Sequence, residues 1–366
     1  MKLGKFFTCT LIAALASFQQ SSAQDIHFSQ FYVSNLTLNP ATTGVMSCKM
    51  RVSTIYRNQW AAAIGNKAFN TFGLGVEGKF NVGSYDYAGA GLSVWVDRAG
   101  TSELTSIHAS LSGSYLKKIG GRRANEHYLV AGGQVGFIQR SMNLTNLRWG
   151  NQWNGVSHDN SLGSDEFNLG ANTPPRFDLS AGLMWFSSLD KDNNSNFYAG
   201  IGFQHLTKVD VSFIAAQSRI SSGDNPYEAL FTRFSIHGGA EARIARRLAL
   251  VPNAAVMIQG PSTQMNVGTG VKFDFSKRAR SSQAFTIGAY VRGANRVLGD
   301  AQTAGFGIDA IIALIRLRFN SSHIGLSYDI NVSPLAGATN GNGAFELSYV
   351  WMMCTDRGRR LGCPTF

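Results

Sequence analysis

Charged side chains are scarce in this sequence. They make up 15% of its 366 residues, against about 25% in an average soluble domain. Disordered chains are charge-rich and poor in aromatic residues, so the 11% aromatic content excludes disorder. Glycine triplets and heptad repeats are also missing, which excludes collagen and coiled coils. A β-rich globular or membrane protein remains.

Long apolar runs are missing too, once the N-terminus is set aside. Lys2 and Lys5 precede an apolar stretch that ends at Ser21-Ser22-Ala23, which is typical of a secretory signal peptide, here residues 1–23. Beyond it, no run approaches the roughly 18 apolar residues of a membrane-spanning helix. The sequence therefore predicts an exported chain whose membrane segments, if it has any, are strands.

Apolar and polar residues alternate with a period of two in segments of about ten residues. Such alternation indicates strands with one apolar and one polar face. Leu92, Val94, Leu347 and Tyr349 lie on apolar faces, while the opposite faces carry small, wettable residues. This arrangement favours an outer-membrane barrel with a polar lumen over a secreted β-sandwich.

We therefore predict an all-β fold, a closed antiparallel transmembrane β-barrel over residues 48–353, with a periplasmic C-terminal tail at 354–366. Fourteen segments qualify as strands, an even number, as bacterial single-chain barrels usually have. They lie near 49–58, 70–80, 87–97, 104–117, 128–141, 176–187, 196–206, 232–242, 248–258, 264–274, 284–292, 307–318, 322–331 and 343–353.

The segment 24–47 before the barrel lacks strand alternation. Its aromatic residues Phe28, Phe31 and Tyr32 need burial, and we expect the segment to plug the lumen, although docking on the periplasmic rim is the alternative. Just after it comes Cys48, and Cys354 follows the last strand. Because the first and last strands of a closed barrel pair, a Cys48–Cys354 disulfide is plausible; Cys363 is a competing partner, and no bridge is the third option.

Two connections, 142–175 and 207–231, are much longer than the usual connection of about 4–6 residues. With a periplasmic N-terminus they would both be external. Their aromatic residues Trp149, Trp153, Phe167, Phe213 and Tyr227 are of the type that anchors protein interfaces, and we expect them to contact a partner protein. The alternative is that these loops fold inward and constrict the pore.

No catalytic, cofactor or metal site is predicted. The glycines of 73–78 fit a dinucleotide pattern but lie within an alternating strand rather than before a helix. Residues 190–201 open like a calcium loop, but Ser195 and Ile201 stand where the loop needs Gly and Glu. His108 and Ser110 share a polar face and point into the lumen, so they are not a lipid-facing esterase pair.

The net charge is +11, yet no nucleic-acid motif is present. The densest basic cluster is the tail 357–360, and we expect it to contact periplasmic partners.

Several motifs are spread over the mature chain: Asp25 to Tyr32, Leu38 to Ala41, Arg51, Tyr56 to Trp60, Tyr328-Asp329 and Glu346. Together they resemble the PorP/SprF family. The residues carrying this resemblance are Phe28, Gln30, Phe31, Asn39, Pro40, Arg51, Tyr56, Arg57, Asn58, Gln59, Trp60, Tyr328, Asp329 and Glu346.

The resemblance implies an outer-membrane barrel of the type IX secretion system of Bacteroidota, without catalytic activity or cofactor. Such a protein would help to secrete or anchor a cargo protein with an uncleaved C-terminal domain, for example a gliding adhesin. Its partners would be that cargo domain, other secretion or gliding components at the periplasmic face, and outer-membrane lipid. A passive or hydrophobic-solute transport pore of the outer membrane is the alternative function.

Overall fold

A computed structural model describes residues 25–121, 125–159, 161–163, 170–189, 195–213, 229–275, 283–298 and 303–354. The predicted signal peptide, Phe167, Tyr227, Cys363 and the tail 355–366 lie outside these ranges. No helix within them is long or apolar enough to cross a membrane.

Fourteen antiparallel strands form one closed barrel in the described part of the chain, each strand pairing with its neighbours in sequence. Their bounds are β1 Met50–Gln59, β2 Phe69–Val82, β3 Asp86–Ala99, β4 Leu104–Gly120, β5 Glu126–Ser141, β6 Arg176–Ser188, β7 Asn196–Gln204, β8 Arg233–Ala245, β9 Leu248–Gln259, β10 Ser262–Asp274, β11 Gln283–Leu298, β12 Thr303–Phe319, β13 Ser322–Asn331 and β14 Asn342–Met353. The predicted fold class is therefore confirmed.

The helices within the described ranges are single turns. α1 (Asn35–Leu38) and a 3-10 turn (Pro40–Thr42) precede the barrel, while α2 (Ala61–Ile64) and α3 (Ala336–Thr339) lie in strand connections. Further 3-10 turns occupy Gly65–Lys67, Leu144–Asn146 and Gly150–Gln152.

The two faces of the strands carry the expected residues. On β13, Ile324, Leu326 and Tyr328 are more than 40% exposed on the outside, whereas Ser327 and Asp329 are buried toward the lumen. Leu92, Leu347 and Tyr349 are likewise exposed, and His108 and Ser110 are buried. Alternation of side chains along each strand places apolar residues toward lipid and polar ones inside.

The barrel closes between β1 and β14, with Met50 opposite Met353 and Gln59 opposite Ala344. Cys48 and Cys354 form a disulfide beside this seam, their Cα atoms 4.4 Å apart. We call this the disulfide end. The opposite end, which carries the connections 142–175 and 205–232, is the loop end.

Some strand ends differ from the prediction. β11 ends at Leu298 rather than at the predicted residue 292, and β12 begins at Thr303 rather than at residue 307. Both strands are longer than predicted because hydrogen bonding continues past the apolar stretch on which the prediction rests. β7 is shorter than predicted and ends at Gln204, because His205 has a left-handed φ of 57° that interrupts the extended backbone.

The interior is filled by residues 25–47, which we call the plug. Phe28, Phe31 and Tyr32 are each at most 4% exposed and pack against lumenal side chains, among them Ile55, Tyr128, Phe186 and Tyr290. Two lumenal glycines make room for the backbone of the plug. A Cβ on Gly132 would lie 2.6 Å from the backbone of Ala41, and one on Gly89 would collide with the carbonyl of Thr43.

Candidate functional site: the anchored plug

The plug is held by a buried charge cluster on four strands, which we call the anchor: Arg57, Arg292, Asp329 and Glu346, with Ser29 and Gln30 of the plug. Glu346 is completely buried and accepts hydrogen bonds from the backbone N–H groups of Ser29 (2.7 Å) and Gln30 (2.9 Å). A carboxylate inside a barrel is thus satisfied by the plug itself rather than by strand partners alone.

Arginine side chains complete the anchor. Arg57 pairs with Glu346 (Nη1–Oε1, 2.5 Å) and with Asp329 (Nη2–Oδ2, 3.0 Å). Arg292 also pairs with Asp329, at 2.7 Å. The hydroxyl of Ser29 donates to Asp329 at 2.8 Å. Because every one of these groups is buried, removal of one partner would leave a charge without compensation.

The side chain of Gln30 ties the plug to two neighbouring strands of the wall. Its amide nitrogen donates to Ser327 Oγ at 3.2 Å, and its amide oxygen accepts from Ser348 Oγ at 2.7 Å. The side chain therefore bridges β13 and β14, and both ends of the amide are used.

At the loop end, Asp25 joins a second cluster, the latch, which also contains His108, Asp178, His205 and Arg233. His205 lies between two carboxylates, with Nε2 2.5 Å from Asp25 and Nδ1 3.0 Å from Asp178. Arg233 reaches Asp25 at 3.2 Å, and His108 reaches Asp178 at 3.2 Å.

The latch is strongly charged. Burial alone would lower the pKa of His205, but Asp25 and Asp178 outweigh it and raise the pKa to about 9. Burial would raise the pKa of Asp25, but His205 and Arg233 hold it below its usual value. His205 is therefore a cation at neutral pH, held between two anions.

Two contacts hold the plug nearer the disulfide end. Glu77 accepts from the backbone N–H of Gly44 at 2.8 Å and pairs with Arg51 at 2.6 Å. Asn39 donates to the carbonyl of Leu183 at 3.1 Å and lies 3.0 Å from His237. The plug is thus tied to the wall at several heights.

Of the predicted motif residues, Phe28, Gln30, Phe31, Asn39 and Pro40 belong to the plug, and Arg57, Asp329 and Glu346 contact it. Arg51 instead pairs with Glu77, which accepts from Gly44 of the plug. Others lie elsewhere. Tyr56 and Asn58 both donate to Asn70 at 2.7 Å near the outside of the loop end, and Tyr328 donates to Asn342 in the same way. Trp60 packs against Phe69, and Gln59 accepts from Arg57.

The two long connections differ. Trp153 is 58% exposed, while Trp149 is half-buried. In contrast, Val209, Val211 and Leu230 are buried against Trp95 and Ile138 beside Ile26 of the plug, so both described ends of 205–232 fold inward. Phe213 is partly buried, and its carbonyl accepts from Gly170 N at 3.0 Å, which joins the two connections.

His108 and Ser110 do not contact one another in the manner of a catalytic pair. Ser110 hydrogen-bonds with Ser93 and Gln134, while His108 faces Asp178 and stacks on Trp95. Within the described ranges, no group of three or more His, Cys, Asp and Glu side chains is placed to hold a metal ion.

Sequence reasoning missed Glu77, Arg233 and Arg292 as plug contacts. Each is a charged residue at an inward position of an alternating strand, and this combination in the sequence could have predicted a buried contact in the lumen. A charge facing a barrel lumen needs either water or a buried partner.

The family model of the type IX secretion system membrane protein PorP/SprF matches residues 20–351. The chain belongs to the PorP/SprF family. The PorP/SprF chain is therefore a type IX secretion system membrane barrel, and fold and family together point to the outer membrane.

No curated protein is significantly similar to this PorP/SprF chain. Among solved structures, CdiB from Escherichia coli matches at 8% identity and a TM-score of 0.43, covering 82% of this chain and 63% of CdiB. The translocator domain of autotransporter NalP from Neisseria meningitidis matches at 11% identity and a TM-score of 0.31, with 96% of both chains covered. A bacterial polysaccharide outer membrane secretin matches at 9% identity and a TM-score of 0.35, covering 84% and 99%.

Proposed function

We propose that this protein is a non-enzymatic outer-membrane barrel that receives or anchors a secreted cargo protein and links it to periplasmic machinery of the type IX secretion system. The cargo would carry an uncleaved C-terminal domain, as gliding adhesins do. The loop end would face the cell exterior, because external loops of such barrels are longer than periplasmic turns.

The observation that carries this proposal is the occupied lumen. A diffusion pore needs a water-filled path, whereas here the plug lies in the lumen and its backbone is bonded to the buried carboxylates Glu346 and Glu77. An occupied lumen supports an interaction function over the alternative of a passive transport pore.

The exposed part of 142–175 supports a receiving surface at the loop end. Trp153 is 58% and Val156 86% exposed, and large apolar side chains on such loops commonly anchor protein interfaces. The inward-folded ends of 205–232 would instead cover the plug and support that surface from below.

Cargo display tests the proposal. Replacing 146–170 by a short Gly-Ser linker should abolish surface attachment of the cargo, measured by antibody labelling of intact cells and by native pull-down. The matched control shortens the exposed connection 61–67 at the same end and should leave display unchanged. Full display by the 146–170 variant would contradict the receiving-surface role.

Conductance separates the two functions. The purified protein without substitutions, here called the parent, should show no steady current in planar bilayers, because the plug fills the lumen. A steady open-pore current would favour the transport pore instead.

A further inference from the structure

The two ends of the barrel differ in charge. The connections at the disulfide end are 83–85, 121–125, 189–195, 246–247, 275–282 and 320–321. They contain eight cations and two carboxylates: Arg122, Arg123, Lys191, Arg246, Arg247, Lys277, Arg278 and Arg280 against Asp190 and Asp192. The loop-end connections show the reverse, four cations against eight carboxylates: Lys67, Arg148, Lys208 and Arg219 against Glu103, Asp159, Asp165, Glu166, Asp210, Asp224, Glu228 and Asp300.

The excess of cations at the disulfide end continues into the lumen between β8 and β13. Four cations face inward there, and we call them the basic sector: Arg243, Lys272, Arg316 and Arg318. Glu241 pairs with Lys272 at 2.5 Å, and Asp274 pairs with Arg243 at 3.1 Å and with Arg318 at 3.2 Å. Two carboxylates therefore pair with three of the four cations.

Arg316 is the cation that these carboxylates leave over. It makes no ion pair with any residue in the described ranges, and its guanidinium lies 4.9 Å from the ring centroid of Tyr32 in the plug. A guanidinium stacked on an aromatic ring keeps its edge N–H groups available to an acceptor.

Buried polar atoms around Arg316 also lack partners. Arg318 lies directly opposite His323 in the β12–β13 pairing, two residues along the strand from Arg316. The Nε of Arg318, the Nε2 of His323 and the hydroxyl of Tyr32 are buried and have no hydrogen-bond partner among the described residues. His323 is 5% and Tyr32 3% exposed. Buried polar groups normally have partners. Arg318 Nε can only donate, and His323 and Tyr32 can also donate, so an acceptor group would suit these atoms.

We propose that the basic sector, with Tyr32 and His323, binds a carboxylate group of an acidic peptide segment from a partner protein. The segment binds at the mouth of the lumen at the disulfide end, where the side chains of Arg318 and Arg243 are 21% and 18% exposed. Carboxylates fit because guanidinium groups bind them with paired, charge-assisted hydrogen bonds.

The strand wall separates this site from membrane lipid. A lipid headgroup could reach the exposed cations Arg246 and Arg247. The side chains of Arg316 on β12 and His323 on β13 instead point into the lumen, away from the lipid-facing side of the wall. The exposed cations Arg246 and Arg247 at this end then steer an acidic segment toward the opening, since long-range charge complementarity accelerates association. This inference concerns the end opposite to the proposed cargo surface and does not depend on it.

A fluorescein-labelled hexaglutamate peptide tests the site, with hexalysine as the charge control. Anisotropy is measured on the full chain, purified in detergent, so the result is independent of cargo and of membrane orientation. The parent should bind hexaglutamate and not hexalysine. Arg316→Gln should weaken binding about tenfold, as expected for a lost charge-assisted hydrogen bond.

The matched control is Arg246→Gln, which removes one exposed cation from the rim at the same end and should change binding less than about twofold. If both variants weaken hexaglutamate binding equally, the peptide is held only by nonspecific charge attraction, and the proposal is overturned. No binding by the parent would also overturn it. Competition by inorganic phosphate as effective as unlabelled hexaglutamate would indicate a small-anion site instead. If Arg316→Gln does not show the heat-modifiable mobility of a folded barrel, His323→Gln replaces it.

Discussion

Replacing Glu346 by glutamine should release the plug. Glu346 is completely buried, and its two oxygens accept from Ser29 N, Gln30 N and Arg57. Glutamine keeps the shape of the side chain but replaces one oxygen by an NH₂ group. In either orientation of the amide, one plug N–H then faces a donor, and Arg57 loses one of its two carboxylates.

The magnitude follows from burial. Breaking a buried ion pair by removing one charge typically costs ~3–5 kcal/mol, because the other charge remains without compensation. Each 1.4 kcal/mol corresponds to about a factor of ten in an equilibrium constant. The fraction of molecules with a released plug should therefore rise by roughly two to three and a half orders of magnitude. Asp329 still pairs with Arg57 and Arg292 in the variant, which favours the lower part of that range.

Single-channel recording in planar bilayers measures this directly, since each release opens the lumen and produces a current step. Limited proteolysis within 25–47 is the second readout. The matched control is Glu241→Gln, which removes another buried lumenal carboxylate, one paired with Lys272 of the wall. If Glu346→Gln opens no more often than the parent or than Glu241→Gln, the anchor does not hold the plug.

Three further predictions concern the wall, the seam and the latch. Val94→Arg on the lipid face should lower the free energy of unfolding in lipid vesicles by ~2–4 kcal/mol, while Val156→Arg on the exposed loop should change it by less than about 0.5 kcal/mol; equal stability of the two would contradict the assigned facing. Cys354→Ser should alter non-reducing gel mobility and lower stability by ~2–4 kcal/mol, whereas Cys363→Ser should do neither, and the reverse result would refute the Cys48–Cys354 pairing. The pKa of His205 is raised from 6.5 to about 9 in the folded state. Its contribution to the free energy of unfolding is therefore complete below pH 6.5 and is lost as the pH rises through about 9. The parent should therefore lose stability between pH 6.5 and 9.5 relative to His205→Gln, with Asp25, Asp178, His108 and Arg233 as the facing groups; parallel pH profiles of the two proteins would rule the latch out.

The wall of the barrel could be predicted from the sequence because facing is a local property. Successive side chains of a strand point to opposite sides, so the position of Leu92 or Ser93 follows from its immediate neighbours. Closure follows from the requirement that a sheet in lipid leave no unpaired edge. Strand ends were less predictable, as at Leu298 and Thr303, because hydrogen bonding continues where the apolar pattern stops.

The contacts of the plug could not be predicted in the same way. Ser29 and Glu346 are 317 residues apart, and no local period connects an irregular segment to a particular strand. His205 shows the same limit. The sequence pattern extends β7 through His205, whereas in the structure His205 lies in a turn with positive φ. From that turn its side chain pairs with Asp25 and Asp178. These contacts are tertiary, so the local sequence pattern does not predict the turn.

Polarity of the lumen alone does not distinguish a pore from a plugged barrel, since water and a polar segment both satisfy the same side chains. Pairing distinguishes them. In a water-filled channel Glu346 would be hydrated, whereas here it is fully buried and two of its acceptor positions are taken by backbone N–H groups of the plug. The motif residues Gln30, Arg57, Asp329 and Glu346, which look independent in the sequence, therefore form one unit whose common property is contact with the plug. A barrel that keeps such a costly set of buried charges depends on the position of its N-terminal segment, and this is why release of that segment is the decisive perturbation.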